Sequence, residues 1–223
     1  MEKEKYFIID VCGTLYRSNT TMDFIKFHYS GKRWFQVLQK LRANRIYAYV
    51  NYLLFRISGI DLTRIIAIHH LKGLTKEEIS NMANRFYNEY LLKIKNEDVF
   101  DIIEDKRKNG LTLVIVSATL DCISKIVAEN LGVKRFFSSE LEYDNNDVCV
   151  GKLRSDLLGS KLKKLISERI IPPYAGIITD NYSDADILSK TNYAHLVLYG
   201  NNIGKWHSIL KKFNCDYKYV TIS

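Results

Sequence analysis

Proline is nearly missing from this 223-residue chain, with only Pro172 and Pro173 side by side, and glycine is held to 11. That scarcity excludes a long flexible or polyproline linker and a collagen-like repeat. The four cysteines, Cys12, Cys122, Cys149 and Cys215, lie too far apart for a CxxC metal or redox site and are expected to be reduced. Long apolar runs are missing too. The greasiest window, Ile46 to Ile57, is interrupted by Asn51 and holds Arg56, so it falls short of the about 18 uninterrupted apolar residues of a membrane span. After Met1 to Lys5 the first apolar run is only Phe7, Ile8 and Ile9, with no small-residue cleavage site, which is not a signal-peptide pattern. The expected location is cytoplasmic. What remains, 47% apolar and 26% charged, is the composition of one well-cored domain or of a core with a modest insertion, not of a disordered chain.

Lys5 to Ile9 reads as a short continuous apolar strand, of the kind buried on both faces of a parallel sheet. Leu111 to Val116, Gly176 to Thr179 and His195 to Tyr199 read the same way. Between the first two, Thr20 to Lys95 has helical spacing and no convincing strand. Asp61 stands as an N-cap before Leu62, Ile65, Ile66, Ile68 and Leu71, and Thr75 with Glu78 forms a capping box opening a helix with Ile79, Met82, Phe86 and Tyr90 inside. A further helix starts near Asp98 and stops at Asn109-Gly110. Leu141 to Tyr143 and Val148 to Val150 flank a hairpin turn over 144–147, and a helix from Leu157 to Glu168 ends before the prolines. Strands alternating with helices predict an α/β fold, a doubly wound parallel Rossmann-like sheet. Residues 1–17 and 97–223 form its core, and 18–96 an all-helical insertion.

Ligands of such sheets bind beyond the carboxyl ends of the strands. The strand ends here carry Asp10 with Gly13 and Thr14, then Ser117, Ala118 and Thr119, then Asp180 with Asp184 and Asp186; a helix start between them carries Lys161. Three carboxylates, a hydroxyl and an ammonium on one edge suit phosphoryl transfer. A carboxylate attacks phosphorus, two more hold a metal such as Mg2+, and hydroxyl and ammonium donate to the non-bridging oxygens. Gly13-Thr14 lets backbone N–H groups approach a phosphate. Asp186 reads as a surface helix residue.

The order DxxGT followed by an apolar residue, a strand ending in Ser, a Lys and an acidic D-x3-D loop resembles the haloacid dehalogenase-like superfamily over essentially the whole chain. The insertion resembles the C1-type helical cap of its phosphoserine phosphatase-like branch. The resemblance implies that Asp10 is nucleophile and metal ligand. It implies that Gly13, Thr14, Ser117 and Ala118 bind the phosphoryl group with Lys161 balancing its charge, and that Asp180 and Asp184 hold or position Mg2+. Lys161 is preferred to Lys163 because the run from Lys161 to Leu165 resembles the family's usual lysine followed by an apolar residue four later.

Family phosphatases carry a second Asp, the general acid and base, where this chain has Cys12. That position implies a backbone carbonyl on the metal, which survives the change; proton transfer does not obviously survive it. Three readings follow: a leaving group needing little protonation (an acyl phosphate, anhydride or anomeric phosphate), a thiol or cap side chain as a poorer acid, or phosphate binding with little turnover. The expected function is a Mg2+-dependent phosphohydrolase on a small or lipid-linked phosphorylated substrate. The alternative is a non-catalytic or weakly active phospholigand-binding or membrane-docking module.

The net charge of +8 has one location. Residues 18–96 hold thirteen Lys and Arg against five Asp and Glu, the whole surplus, and the rest of the chain balances. Such a lid concentrates anionic substrates. Its bases are interleaved with Phe24, Phe27, Tyr29, Trp34, Phe35, Tyr47, Tyr49, Tyr52 and Phe55. This reads as a bundle core with a solvated basic exterior, or as a lid resting on anionic lipid at the membrane periphery; no recognition motif supports nucleic acid. Asn19, Thr20, Thr21 and Asp23 are placed to shape the pocket. His69 and His70, about 100° apart on a helix, do not read as a metal pair.

Overall fold

The computed structural model describes residues 4–200, 203–213 and 215–222. Its strands are β1 (Tyr6–Ile9), β2 (Thr112–Leu120), β3 (Arg135–Tyr143), β4 (Cys149–Ser155), β5 (Gly176–Thr179), β6 (Tyr193–Tyr199) and β7 (Asp216–Ile222). They form one sheet in the order β4-β3-β2-β1-β5-β6-β7, parallel throughout except for the β3–β4 pair. The chain winds outward from β1 to β4, then returns to β5 on the other side of β1. The strand order reverses there, at the expected ligand crevice of a doubly wound sheet.

The apolar runs follow from burial on both faces. Phe7 and Ile9 enter one hydrophobic cluster and Tyr6 and Ile8 the other. The same parity separates Leu113 and Ile115 from Val114 and Val116, and Ile178 from Ile177. Side chains alternate along a strand, so a strand covered on both faces must be apolar at every position.

The helices are α1 (Thr20–Tyr29), α2 (Arg33–Ala43), α3 (Arg45–Ser58), α4 (Leu62–His69), α5 (Lys76–Glu89), α6 (Glu97–Lys108), α7 (Asp121–Asn130), α8 (Lys161–Ser167), α9 (Ala185–Leu188) and α10 (Ile203–Leu210). Phe24 and Ile25 of α1, Phe35 and Leu38 of α2, Ile68 of α4 and Ile79 and Phe86 of α5 share a cluster with Val99 and Ile103 of α6 and Ile123 and Val127 of α7. Leu165, Ile187, Leu188, Trp206 and Leu210 of α8 to α10 cover the other face. Asp61 caps α4 by accepting from the Arg64 N–H at 3.1 Å. The Thr75–Glu78 box is formed in both directions, at 3.1 and 2.7 Å. His70 stacks on Trp34 with ring centroids 3.5 Å apart.

Several boundaries move for tertiary reasons. Strand β2 runs past Val116 to Leu120, with its register against β3 broken in between. The first arm of the expected hairpin starts as early as Arg135, because Arg135 to Phe137 pair with β2 while Glu140 to Tyr143 pair with β4. Helix α8 begins at Lys161 rather than Leu157. The Asp156 carboxylate first accepts from the Leu158 N–H at 2.9 Å and the Ser160 N–H turns back to the Leu157 carbonyl at 3.1 Å, so the chain makes a turn before the helix. Strand β7 carries no sequence signal: only Val220 is buried on it, so its alternation is masked. The free edge of β4 is covered by 73–76, through Gly73 N to Cys149 O at 2.9 Å and Cys149 N to Leu74 O at 2.8 Å. Among the described residues no helix is long and apolar enough to cross a membrane.

Candidate active site

Ile9 pairs with both Ile115 and Ile178, which sets the ends of β1 and β5 level with the stretch of β2 that carries Ser117. Asp10, Ser117 and Asp180 therefore stand at nearly the same level of the sheet. The Asp10 N–H donates to the Ile178 carbonyl at 3.1 Å. The chain then turns back, with the Val11 carbonyl accepting from Thr14 and Leu15 and the Ser18 carbonyl from Gly13. Gly13 sits at φ +73°, and a Cβ there would fall inside the Asp180 carboxylate, 2.6 Å from its Cγ. Only glycine meets both conditions.

Lys161 and Leu165, four apart at the start of α8, both face inward, whereas Lys163 is exposed. The Lys161 ammonium lies 2.9 Å from Asp10 Oδ1 and 2.9 Å from Asp184 Oδ2, and all three side chains are buried. Asp184 Oδ2 also accepts from the Thr179 hydroxyl at 2.8 Å. Burial works against the lysine's charge, but the two carboxylates outweigh it and hold the ammonium above the ordinary lysine range. Asp10 Oδ1 accepts as well from the Val11 N–H at 2.8 Å, and Asp10 Oδ2 is buried with no partner among the described residues.

Asp180 is held by Thr14, whose hydroxyl donates to Oδ1 at 3.0 Å and accepts from the Asp180 N–H at 3.0 Å. The Thr14 hydroxyl, expected on the phosphate, is thus engaged with Asp180. Burial and the charge of Asp10 push the Asp180 carboxyl well above its usual range; burial does the same to Asp184. Ser117 Oγ is 3.0 Å from Thr119 Oγ1, itself 2.7 Å from Thr20 Oγ1, which ties the start of α1 to the end of β2. The Cys12 thiol donates to the Ser18 carbonyl at 3.4 Å, and burial, then the charges of Asp10 and Asp180, push it up to about 12.

A cleft of about 180 Å³ is lined by Asp10, Cys12, Ser117, Ala118 and Lys161, together with Asn19, Thr20 and Thr21. A second, of about 320 Å³, is lined by Cys12, Asp180, Asn181, Tyr182, Tyr199 and Trp206. Cys12 and Asn181 stand between them. Asp184 is buried behind Lys161, and Asp23 accepts from the Ser18 hydroxyl at 2.7 Å rather than lining either cleft. Asp186 is exposed and caps its own neighbour Ile187.

Sequence reasoning missed four supports. Arg64 donates to both oxygens of Asp156 and, at 2.6 Å, to the Ala118 carbonyl, clamping the strand end that carries Ser117. Asn96 donates to the Thr14 carbonyl at 2.6 Å and to the Tyr199 hydroxyl at 3.0 Å, and Tyr199 to the Gly13 carbonyl at 2.6 Å. No local pattern announces these. Their partners are 54 to 186 residues away.

Among the described residues no three acidic, His or Cys side chains close into a cage for a metal by themselves. An all-protein cage is not what Mg2+ needs. It takes one or two carboxylates and keeps positions for water and phosphate oxygens. The buried Asp10 and Asp184 share one ammonium, the half-buried Asp180 adds a third carboxylate beside them, and Asp180 and Asp184 are both pushed toward protonation. A hard divalent cation suits that excess of oxygen donors.

The architecture is found in solved structures. A protein with unknown function from Bordetella pertussis Tohama I has a TM-score of 0.71 at 10% identity, over 96% of this chain and 98% of that one. A substrate-bound phosphoserine phosphatase gives 0.60 at 17%, over 96% and 100%, and cytosolic 5'-nucleotidase IIIB bound to cytidine 0.60 at 13%, over 98% and 81%. Identities this low establish a shared fold. No curated protein sequence matches the chain. The sequence profile described as haloacid dehalogenase-like hydrolase matches residues 7–189, from β1 through α9, and with every strand end of the site inside that span the chain belongs to the haloacid dehalogenase-like hydrolase family.

Proposed function

We propose that the protein is a Mg2+-dependent phosphohydrolase working through an aspartyl-phosphate on Asp10, with residues 18–96 as its helical cap. The observation that carries this is the half-engaged Asp10 carboxylate: Oδ1 is pinned by Lys161 and Val11 while Oδ2 has no partner among the described residues, and Asp10 lines the cleft. A nucleophile needs that asymmetry, with one oxygen fixed and the other free to attack. The phosphoserine phosphatase and nucleotidase folds support a small phosphorylated molecule as substrate.

Asp10 and Asp180, with the Cys12 backbone carbonyl, would hold Mg2+, and Asp184 would act from behind through Lys161. The ion, when bound, offsets the charge on the phosphoryl oxygens and orients them for in-line attack. Asp10 Oδ2 attacks phosphorus, the bond to the leaving oxygen breaks, and that oxygen departs with the electron pair as an anion, which takes its proton from water. Lys161 and the Ser117 hydroxyl donate to the non-bridging oxygens, where the transition-state charge lies. Water then attacks the phosphorus of the acyl phosphate, releasing inorganic phosphate and regenerating the carboxylate.

Cys12 decides the leaving group. Its thiol keeps its proton at neutral pH, so it is no base, and that proton points to the Ser18 carbonyl. General acid help is worth about 10²–10⁴-fold, and a site without it favours leaving groups that are stable as anions. This supports an acyl phosphate, anhydride or anomeric phosphate over an ordinary alkyl ester. The test is phosphate release from a panel of these with Mg2+, alongside Asp10→Asn, and detection of one phosphoryl adduct on Asp10 by mass spectrometry. Release unchanged in Asp10→Asn defeats the proposal.

A further inference from the structure

Helix α3 turns its apolar side outward. None of its 14 residues is buried. Ile46, Tyr49, Val50, Leu53 and Ile57, at helical spacing, are exposed by 75, 63, 44, 36 and 83%. At 100° per residue these five fall within an arc of about 100°, one continuous stripe. The opposite side is the one that meets the protein. Tyr47 reaches the Thr63 hydroxyl at 3.2 Å, and Asn51 bonds the Asp61 carboxylate at 3.1 Å and the Leu62 N–H at 2.8 Å. Arg45, Tyr52 and Arg56 run along one flank of the stripe. Helix α2, joined to α3 by Asn44 alone and packed against it, exposes Val37 and Leu41.

The charge around this face has one sign. From Phe24 to Ile60 there is no Asp or Glu, while Lys26, Lys32, Arg33, Lys40, Arg42, Arg45 and Arg56 are all exposed. None of these seven forms an ion pair among the described residues. A stripe of aliphatic and aromatic side chains flanked by unpaired cations is complementary to a surface apolar inside and anionic at its rim. The stripe also ends at the site. Gly59 and Ile60, just past Ile57, line an apolar groove of about 380 Å³ between α4 and β4, and that groove shares Asp61 and Arg64 with the Asp10 cleft.

We propose that the outward face of α2 and α3 docks on an anionic lipid bilayer, with the α3 stripe entering the headgroup boundary and the arginines on the phosphates. Docked this way, the groove mouth lies next to the membrane. The inference goes beyond the phosphohydrolase reading and does not depend on it.

The test is co-sedimentation of the full chain with phosphatidylcholine vesicles, with and without phosphatidylglycerol. Wild type is expected to sediment with the anionic vesicles and to be released by added salt. The triple variant Ile46→Ser, Leu53→Ser, Ile57→Ser should weaken partitioning about ten-fold or more. Arg45→Gln with Arg56→Gln should weaken it about five-fold per residue. Circular dichroism should be unchanged in both, since these side chains are exposed. Asp10→Asn should bind vesicles like wild type, so failure of the catalytic reading leaves this result intact. Wild type that stays in the supernatant with anionic vesicles, or binding indifferent to the triple variant, overturns the proposal. A dimer in sedimentation equilibrium that the triple variant dissociates, without vesicle binding, assigns the face to a second copy and overturns it as well.

Discussion

The ammonium of Lys161 sits 2.9 Å from Asp10 Oδ1 and leaves Oδ2 of the same carboxylate without a partner among the described residues. Lys161→Met removes the shared cation and strands Asp10 and Asp184 in the interior. The expected loss is about 3–5 kcal/mol of stability, the range for breaking a buried pair. Turnover should fall about 10²–10³-fold from the missing phosphoryl donor. Urea unfolding and phosphate release check the two effects separately, and a fully active variant would contradict the assignment of Lys161.

Gly13→Ala should abolish activity. The left-handed backbone alone costs an ordinary residue about 1 kcal/mol. The added Cβ must also displace the Asp180 carboxylate. Gly110→Ala is the matched control, at φ +75° with nothing within 4 Å of its Cβ. It should show the conformational cost in urea unfolding and leave kcat untouched.

His195 predicts a pH dependence of stability away from the site. It is 5% exposed, neither ring nitrogen has a partner among the described residues, and it lies between Phe7 and Tyr193. Burial first, then Lys106 and Lys218 against the opposing Asp105, lower its pKa from 6.5 to about 4. Above pH 6.5 the ring is neutral in both states. As pH falls below 6.5 the unfolded chain takes up a proton that the folded chain refuses, so stability is lost down to about pH 4. The whole window is worth about 3 kcal/mol. Urea midpoints at pH 7 and pH 5 should differ for wild type and differ less for His195→Leu; equal slopes would refute this.

Arg64→Met should cost about 2 kcal/mol, less than a fully buried pair because the Asp156 side chain is 40% exposed. It should also raise KM for the phosphorylated substrate more than it lowers kcat, since the released Ala118 carbonyl loosens the strand end that carries Ser117.

Cys12→Asp should increase turnover of simple alkyl phosphates about 10²-fold or more by supplying the missing general acid. Acyl phosphates should gain much less. Comparing kcat/KM for the two classes distinguishes absent proton transfer from an inert site.

Much of this was open to inspection in the chain alone. Strands that are apolar at every position announce a sheet covered on both faces, and the Asp10, Ser117, Lys161 and Asp180 stretches come in the order that resembles the haloacid dehalogenase-like family. Capping at Asp61 and Thr75 was equally legible, because a cap bonds within three residues. Strand β7, the double pairing of β3 and the late start of α8 were not, because each is set by a partner strand or by a side-chain turn rather than by its own periodicity.

The sequence by itself determined which residues share a face and where the charge lies. The resemblance of the run from Lys161 to Leu165 to the family's lysine motif singled out Lys161, and composition put the entire positive surplus between 18 and 96. The tertiary structure alone decided what covers each face. It buried Lys161 between two carboxylates, spent the Thr14 hydroxyl on Asp180, and left the Ile46–Ile57 stripe facing outward. The reason is physical: helical spacing reads the same whether a stripe meets a core or a solvent boundary, and only the packing of distant segments, whose closure in space has no local signature, chooses between them.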